Sequence, residues 1–267
     1  MNISELEQKA RRHRRQIIEM VYEGGAGHIG GALSIIDLMT YTYARYVDFN
    51  QSERAKVVLS KGHVTPALYA ILYEQGIIER EEFKTFRNVD SRLQGHPSVK
   101  CLPEVDATTG MLGQGLSIAL GMAMAKRLKG SEDKVFAIIG DGELHEGQIW
   151  EALSQASHMK ASNLYALVDL NGLSSHDPVA SVNNIEPIDD RFKAFGWDIY
   201  ELEDGNDMAQ IHQAYEYFER NPSDKPKALL ARTVKGKGVS YMENDGDWHS
   251  KCPSAEQFEI AMKELEG

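Results

Sequence analysis

Two apolar runs, Val135–Ile139 and Leu164–Val168, are separated by about the length of one helix and its turns. Continuous apolar runs this short, bounded by glycine and polar residues, read as strands buried on both faces, which is the signature of a parallel sheet. Between them Gly147–Met159 carries Ile149, Leu153 and Ala156 on one face, as a crossover helix requires. Other strands are expected at Val57–Leu59, Asp198–Leu202 and Ala228–Arg232. Helices are expected from a Ser4 cap to about Tyr22, near Ser34–Val47, Pro66–Gln75, Arg80–Phe86, Leu116–Leu128 and Met208–Phe218. A glycine loop is expected over residues 24–31, between the first two helices. This alternation predicts an α/β fold: a doubly wound, mainly parallel sheet with helices on both faces. No Pro/Ser-rich linker divides the chain, so residues 1–267 are expected to form a single domain.

The strand ends carry the chemistry. Asp141 follows Val135–Ile139, Asn171 follows Leu164–Val168, and His63 follows Val57–Leu59. In a doubly wound sheet these positions share the carboxyl edge, where ligands bind. Magnesium takes hard oxygen ligands and is commonly held by one or two protein groups together with phosphate oxygens and water. Asp141 can supply charge, Asn171 a neutral oxygen, and the backbone carbonyl of Leu173 a third donor. Gly140 and Gly142 let the backbone approach phosphates. A lone Gly-Asp-Gly marks many ordinary turns; Asn171, thirty positions on, makes it specific.

His28, His63, His96 and His249 all lie in glycine- or proline-marked loops or beside Trp248. Imidazoles there can hydrogen-bond phosphate or sugar hydroxyls and move protons. Zinc is the rival, but neither His-x-x-x-His nor paired cysteines support it. His13, His158, His176 and His212 are read as structural. Glu146 and Glu151 begin the helix after Gly-Asp-Gly, where a carboxylate also suits the helix dipole. Thr109–Gly115 is a glycine-rich turn entering a helix, without a Walker or Rossmann pattern. It reads as a close backbone approach to a planar ligand or a facing subunit.

Composition narrows the classes of partner. With 40 acidic against 29 basic residues the formal charge is −11, which argues against nucleic-acid and anionic-membrane partners. Any phosphorylated ligand must then be held by local groups. Cys101 and Cys252 lack metal-ligand spacing and suit a reducing compartment. No signal-peptide pattern or membrane-length apolar run occurs, so a cytoplasmic location is expected. The tract Arg11–Arg15 reads as a solvated helix face.

Taken together these motifs resemble the thiamin-diphosphate enzymes and, among them, transketolase. The resemblance is carried in order by Gly27-His28, Leu59-Ser60-Lys61-Gly62-His63, Gly95-His96-Pro97, Thr109–Gly115, Gly140–Gly147 and Val234–Val239, then Met242-Glu243-Asn244 and Trp248-His249. Ile29, Met111 and Ser250 depart from the commoner residues at their positions. The resemblance implies that Asp141, Asn171 and the Leu173 carbonyl hold Mg²⁺, or Ca²⁺ or Mn²⁺ in its place. It implies cofactor contacts from His63, Gly110, Leu112, Gly140, Gly142, Glu143 and His249. His28 and His96 are expected to face the sugar, with His63 and His249 nearby. Glu146 and Glu151 are expected at a subunit interface, relaying to the cofactor's aminopyrimidine.

The implied reaction is transfer of a two-carbon ketol unit from a ketose to an aldose, free or phosphorylated. Full transketolases continue into a pyrimidine-binding domain and a C-terminal domain. A chain ending at Gly267 is therefore expected to be the N-terminal subunit of a split enzyme, active only with a second polypeptide in an α2β2 heterotetramer. A deoxyxylulose-phosphate synthase-like or 2-oxoacid dehydrogenase E1-like half, or a non-catalytic cofactor-binding module, are the alternatives.

Overall fold

The computed structural model describes residues 2–266. The elements run, in chain order, α1 (Ile3–Gly24), α2 (Ile29–Tyr46), β1 (Lys56–Leu59), α3 (Thr65–Glu74), α4 (Gly115–Leu128), β2 (Val135–Gly140), α5 (Gly147–His158) and β3 (Leu164–Leu170). They continue with β4 (Leu173–Ser174), β5 (Asp177–Pro178), α6 (Val179–Val182), α7 (Ile188–Ala194), β6 (Asp198–Leu202), α8 (Met208–Arg220), β7 (Lys227–Arg232) and α9 (Ala255–Glu264). Strands β1-β2-β3-β7-β6 form one sheet in that order, every pairing parallel. β4 and β5 form a small antiparallel hairpin.

The two apolar runs are the inner strands β2 and β3, and every residue of both is buried. Their side chains divide by the period of two that a strand imposes. Phe136, Ile138, Tyr165 and Leu167 pack into a core formed with α1, α2, α3, α8 and α9. Val135, Ala137, Ile139, Ala166 and Val168 face a second core formed with α4, α5 and α7. Helices thus cover both faces, as the alternation of elements predicts. Burying the apolar side chains of these two strands contributes on the order of 1.5–3 kcal/mol each for the larger ones.

Several local expectations are corrected. Ser4 is not the cap of α1: Asn2 is, its side chain accepting from the Ser4 N–H at 3.1 Å. The glycine loop is shorter than its composition suggests, because α2 begins at Ile29 and takes Gly30 and Gly31 into its first turn. A Cβ on Gly30 would lie 2.8 Å from the Trp248 carbonyl, so tertiary contact overrides glycine's poor helix propensity. Within the basic tract of α1, Arg11 and Arg12 are exposed but Arg14 is buried and pairs with Asp37 of α2. Its Nε also donates to the Lys237 carbonyl at 3.1 Å.

Candidate active site

The carboxyl ends of β1, β2 and β3 lie side by side, because β2 pairs with both of the others. A cleft of about 280 Å³ opens above them. His28, His63, His96, Gly110, Leu112, Gly140, Asp141, Gly142, Glu143, Asn171, Leu173 and His249 all line it. Glu146 and Glu151 do not: they lie exposed at the cap and first turns of α5. A larger cavity, about 550 Å³, opens by Lys134, Tyr165 and Lys227 at the opposite, amino edge of the sheet. It lacks a carboxylate–amide pair at strand ends, so the chemistry assigns the site to the smaller cleft.

Asp141 stands one residue beyond β2 and is 4% exposed. Its Oδ1 accepts from the Gly142 N–H at 2.8 Å and its Oδ2 from the Gly172 N–H. Burial, then the nearby charge of Asp169, pushes its carboxyl up to about 6, although Lys61 and the two backbone donors pull the other way. A buried carboxylate short of positive charge is suited to a cation. Asn171 turns its Nδ2 inward, to Asp169 Oδ2 at 3.2 Å and Ser34 Oγ at 3.4 Å. Its Oδ1 accepts from the Leu173 N–H at 3.1 Å, so the amide oxygen lies on the cleft side, where Leu173 also lines the wall. Gly172 permits this tight return with φ +80. At Gly142 a Cβ would approach Ser174 Oγ to 2.9 Å, so glycine leaves the backbone open to a ligand.

Four histidine rings converge. The His28 centroid is 5.0 Å from His63, 5.1 Å from His249 and 6.4 Å from His96, and His63 and His249 are 5.3 Å apart. Burial is the leading cause that lowers all four below the usual imidazole range. Nearby Arg87 adds to it at His28 and His96, Lys61 at His63 and Lys235 at His249. His28 is held down at about 4 and His249 at about 3. All four rings are therefore neutral at physiological pH, each with one donor and one acceptor nitrogen. His28 Nδ1 is buried with no hydrogen-bond partner, and a ligand hydroxyl or amine would satisfy it.

Some functional neighbours escaped the sequence reading. Asp169 is fully buried at the end of β3, accepting from Lys61 Nζ, Ser34 Oγ at 2.6 Å and Thr233 Oγ1. Lys235 donates to the Ser175 carbonyl at 2.6 Å and lies 3.3 Å from His249 Nδ1. Burial, with Lys61 adding, brings Lys235 down to about 8. Both lysines sit in glycine-bounded turns; a lysine directly after a short apolar strand was the available signal. Of the histidines read as structural, His13 is buried between Thr40 and Glu74, and His212 meets Tyr41 at 2.7 Å. His176, however, approaches His249 with ring centroids 5.9 Å apart.

Among the described residues no group of three or more His, Cys, Asp or Glu is placed to hold a metal ion. A cation would rest instead on one carboxylate, one amide oxygen and one carbonyl, a set that suits a hard ion completing its shell with phosphate and water. The orphaned His28 nitrogen, the open backbone at Gly142 and this oxygen set together fit a metal-bridged diphosphate cofactor.

Comparison with known proteins agrees with this chemistry. Residues 7–265 match the family described as "Transketolase, thiamine diphosphate binding domain". One of the two subunits of an apulose-4-phosphate transketolase from Phocaeicola vulgatus is 38% identical over 99% of this chain and 95% of its own length. A 6-deoxy-6-sulfo-D-fructose transketolase subunit from a Clostridium species is 36% identical over 98% of this chain and 96% of its own. The crystal structure of Campylobacter jejuni transketolase superposes with a TM-score of 0.91 at 30% identity, covering 99% of this chain. This chain spans only 43% of that longer enzyme.

Proposed function

The chain belongs to the transketolase family, as its thiamine diphosphate-binding part, and from that premise we propose that the cleft holds thiamin diphosphate through a divalent ion on Asp141, Asn171 and the Leu173 carbonyl. It is the N-terminal subunit type of a split transketolase, a transferase: its full-length relatives are named as subunits of such enzymes. Those names favour ketol transfer over the pyruvate-utilising alternatives. The whole of residues 1–267 acts as one cofactor-binding domain. Its partner is a C-terminal subunit carrying the pyrimidine-binding domain, assembled as α2β2. Mg²⁺ is the resident ion, with Ca²⁺ or Mn²⁺ able to replace it, and the cytoplasm is the site of action. The donor and acceptor are a ketose and an aldose, phosphorylated or otherwise anionic, as in the names of the relatives.

The observation that carries the reading is the convergence of Asp141, Asn171 and four neutral histidines in one cleft at the carboxyl edge. The bound cofactor supplies the carbanion chemistry that breaks and remakes the carbon–carbon bond. The chain's own residues bind and move protons. His63, Gly142 and His249 stand beside the diphosphate position. His28 and His96, neutral and facing the cleft, hydrogen-bond sugar hydroxyls and exchange protons with the substrate oxygen. Glu146 and Glu151 lie on an exposed helix start, available to a facing subunit.

The test is ketol transfer measured with the chain alone, and with a candidate partner, in Mg²⁺ and thiamin diphosphate. Activity is expected only from the pair. Transfer by the chain alone would remove the split-subunit reading, and pyruvate decarboxylation by the pair would replace the reaction.

A further inference from the structure

Glu143 is 2% exposed and sits between three segments that build the cleft. Its Oε1 accepts from Ser60 Oγ at 2.5 Å, at the end of β1, and from the Gly113 N–H at 2.9 Å, in the loop before α4. Its Oε2 accepts from the Gly140 N–H at 3.2 Å, at the end of β2. Every partner is a donor, and an ionised carboxylate is the side chain that offers two oxygens and no hydrogen. The surrounding packing leaves no slack. A Cβ on Gly115 would lie 2.4 Å from Ser60 Oγ, and one on Gly113 would lie 2.8 Å from Glu146 Cβ. Residues 110 and 112 of the same loop line the cleft, facing Asp141 from the other wall.

We propose that Glu143 is a positioning residue: it fixes the distance between the loop of residues 109–114 and the Asp141 turn, and so the width of the cofactor slot, without ligating metal or cofactor. The proposal rests on the cofactor reading of the cleft. Both carboxylate oxygens are committed to protein donors, so the group acts through Gly113 and Gly140. Removing it strands two buried N–H groups and a hydroxyl, and frees the loop to withdraw.

The test uses the complete two-subunit enzyme. Glu143→Gln keeps the volume and the bonds to Ser60 and Gly113, but sets an amide N–H₂ against the Gly140 N–H. The dissociation constant for thiamin diphosphate is expected to rise about tenfold, the scale of one charge-assisted hydrogen bond. The KM for the ketose at saturating cofactor is expected to stay unchanged. Since no metal bond is lost, the order and ratio of affinities with Mg²⁺, Ca²⁺ and Mn²⁺ should also stay as in the wild type. Ser60→Ala, which removes a single donor, should weaken cofactor binding in the same direction by a smaller factor.

Cofactor affinity equal to wild type in Glu143→Gln, with only the melting temperature lowered, would reduce Glu143 to a structural role and overturn the proposal. A changed metal preference would overturn it by making Glu143 a ligand. Asp141→Ala is the separating control: if that variant binds metal and cofactor normally, the cofactor reading itself fails, independently of Glu143.

Discussion

Lys61 Nζ and Asp169 Oδ2 form an ion pair beneath the cleft, with the lysine 3% exposed and the aspartate fully buried. The pair joins the turn after β1 to the end of β3, across the intervening β2. Asp169 also receives the Nδ2 of Asn171, which leaves the amide oxygen of Asn171 free to face the cleft. Breaking a buried pair by removing one partner strands the other charge. Lys61→Ala and Asp169→Ala are each expected to lose about 3–5 kcal/mol in urea unfolding. A loss below about 1 kcal/mol, the range of exposed pairs, would show that water reaches the pair.

Asp141 titrates at about 6 in the metal-free chain, above the usual 3.8. A raised carboxyl favours the protonated folded state, so its stabilising contribution is complete below the usual value and is lost as pH rises through about 6. The metal-free chain should therefore gain stability from this group as pH falls from 7.5 to 5. Metal binding needs the ionised form, so affinity for Mg²⁺ with thiamin diphosphate should fall below pH 6, with proton release detectable by calorimetry in buffers of different ionisation enthalpy. Affinity constant from pH 5 to 8 would contradict the assignment of Asp141.

The four cleft histidines are depressed, His28 to about 4 and His249 to about 3. Their ring-proton resonances in the free chain should show no titration between pH 5.5 and 8, and His28 should begin to shift only toward pH 4. A resonance assigned to His28 or His249 with a midpoint near 6.5 would mean that the cleft is more hydrated than its geometry shows. Replacing His28 by alanine in the assembled enzyme should lower kcat by about 10²–10⁴, the range of a lost proton-transfer group.

Two glycines of α4 make a paired steric test. Gly115 has no room for a Cβ beside Ser60, whereas Gly121 has nothing within 4 Å. Gly115→Ala should destabilise by about 1–3 kcal/mol through overpacking and weaken cofactor binding. Gly121→Ala should stabilise by about 0.5–1 kcal/mol through lower unfolded-state entropy. Thermal unfolding of both checks the pair; equal behaviour would contradict the tight seat of α4 against β1.

How much was legible depended on the range of the interaction. β2 and β3 were readable because burial on both faces forces uninterrupted apolar runs, and their polar ends marked Asp141 and Asn171. The amphipathic stripe of α5 was equally local. The start of α2 was hidden because Gly30-Gly31 signals a turn, while the reason it is helical, contact with Trp248 and Lys235, lies some two hundred residues away. Arg14 reads as a solvated charge until Asp37 is placed against it. α7 and α9 were missed because mixed polar composition masks their short apolar faces, although Ser254 and Gln257 do form a capping box. In the site, residues presented to a ligand stood out by motif. Lys61, Asp169 and Lys235 act on one another, and only the sheet order shows that they meet.

The most direct measurement is anomalous diffraction from crystals of the two-subunit enzyme grown with Mn²⁺ and thiamin diphosphate. A metal peak is expected within bonding distance of Asp141 Oδ, Asn171 Oδ1 and the Leu173 carbonyl, with the diphosphate completing its shell. Bound cofactor with the peak elsewhere, or with no metal at those three atoms, would contradict the proposed site.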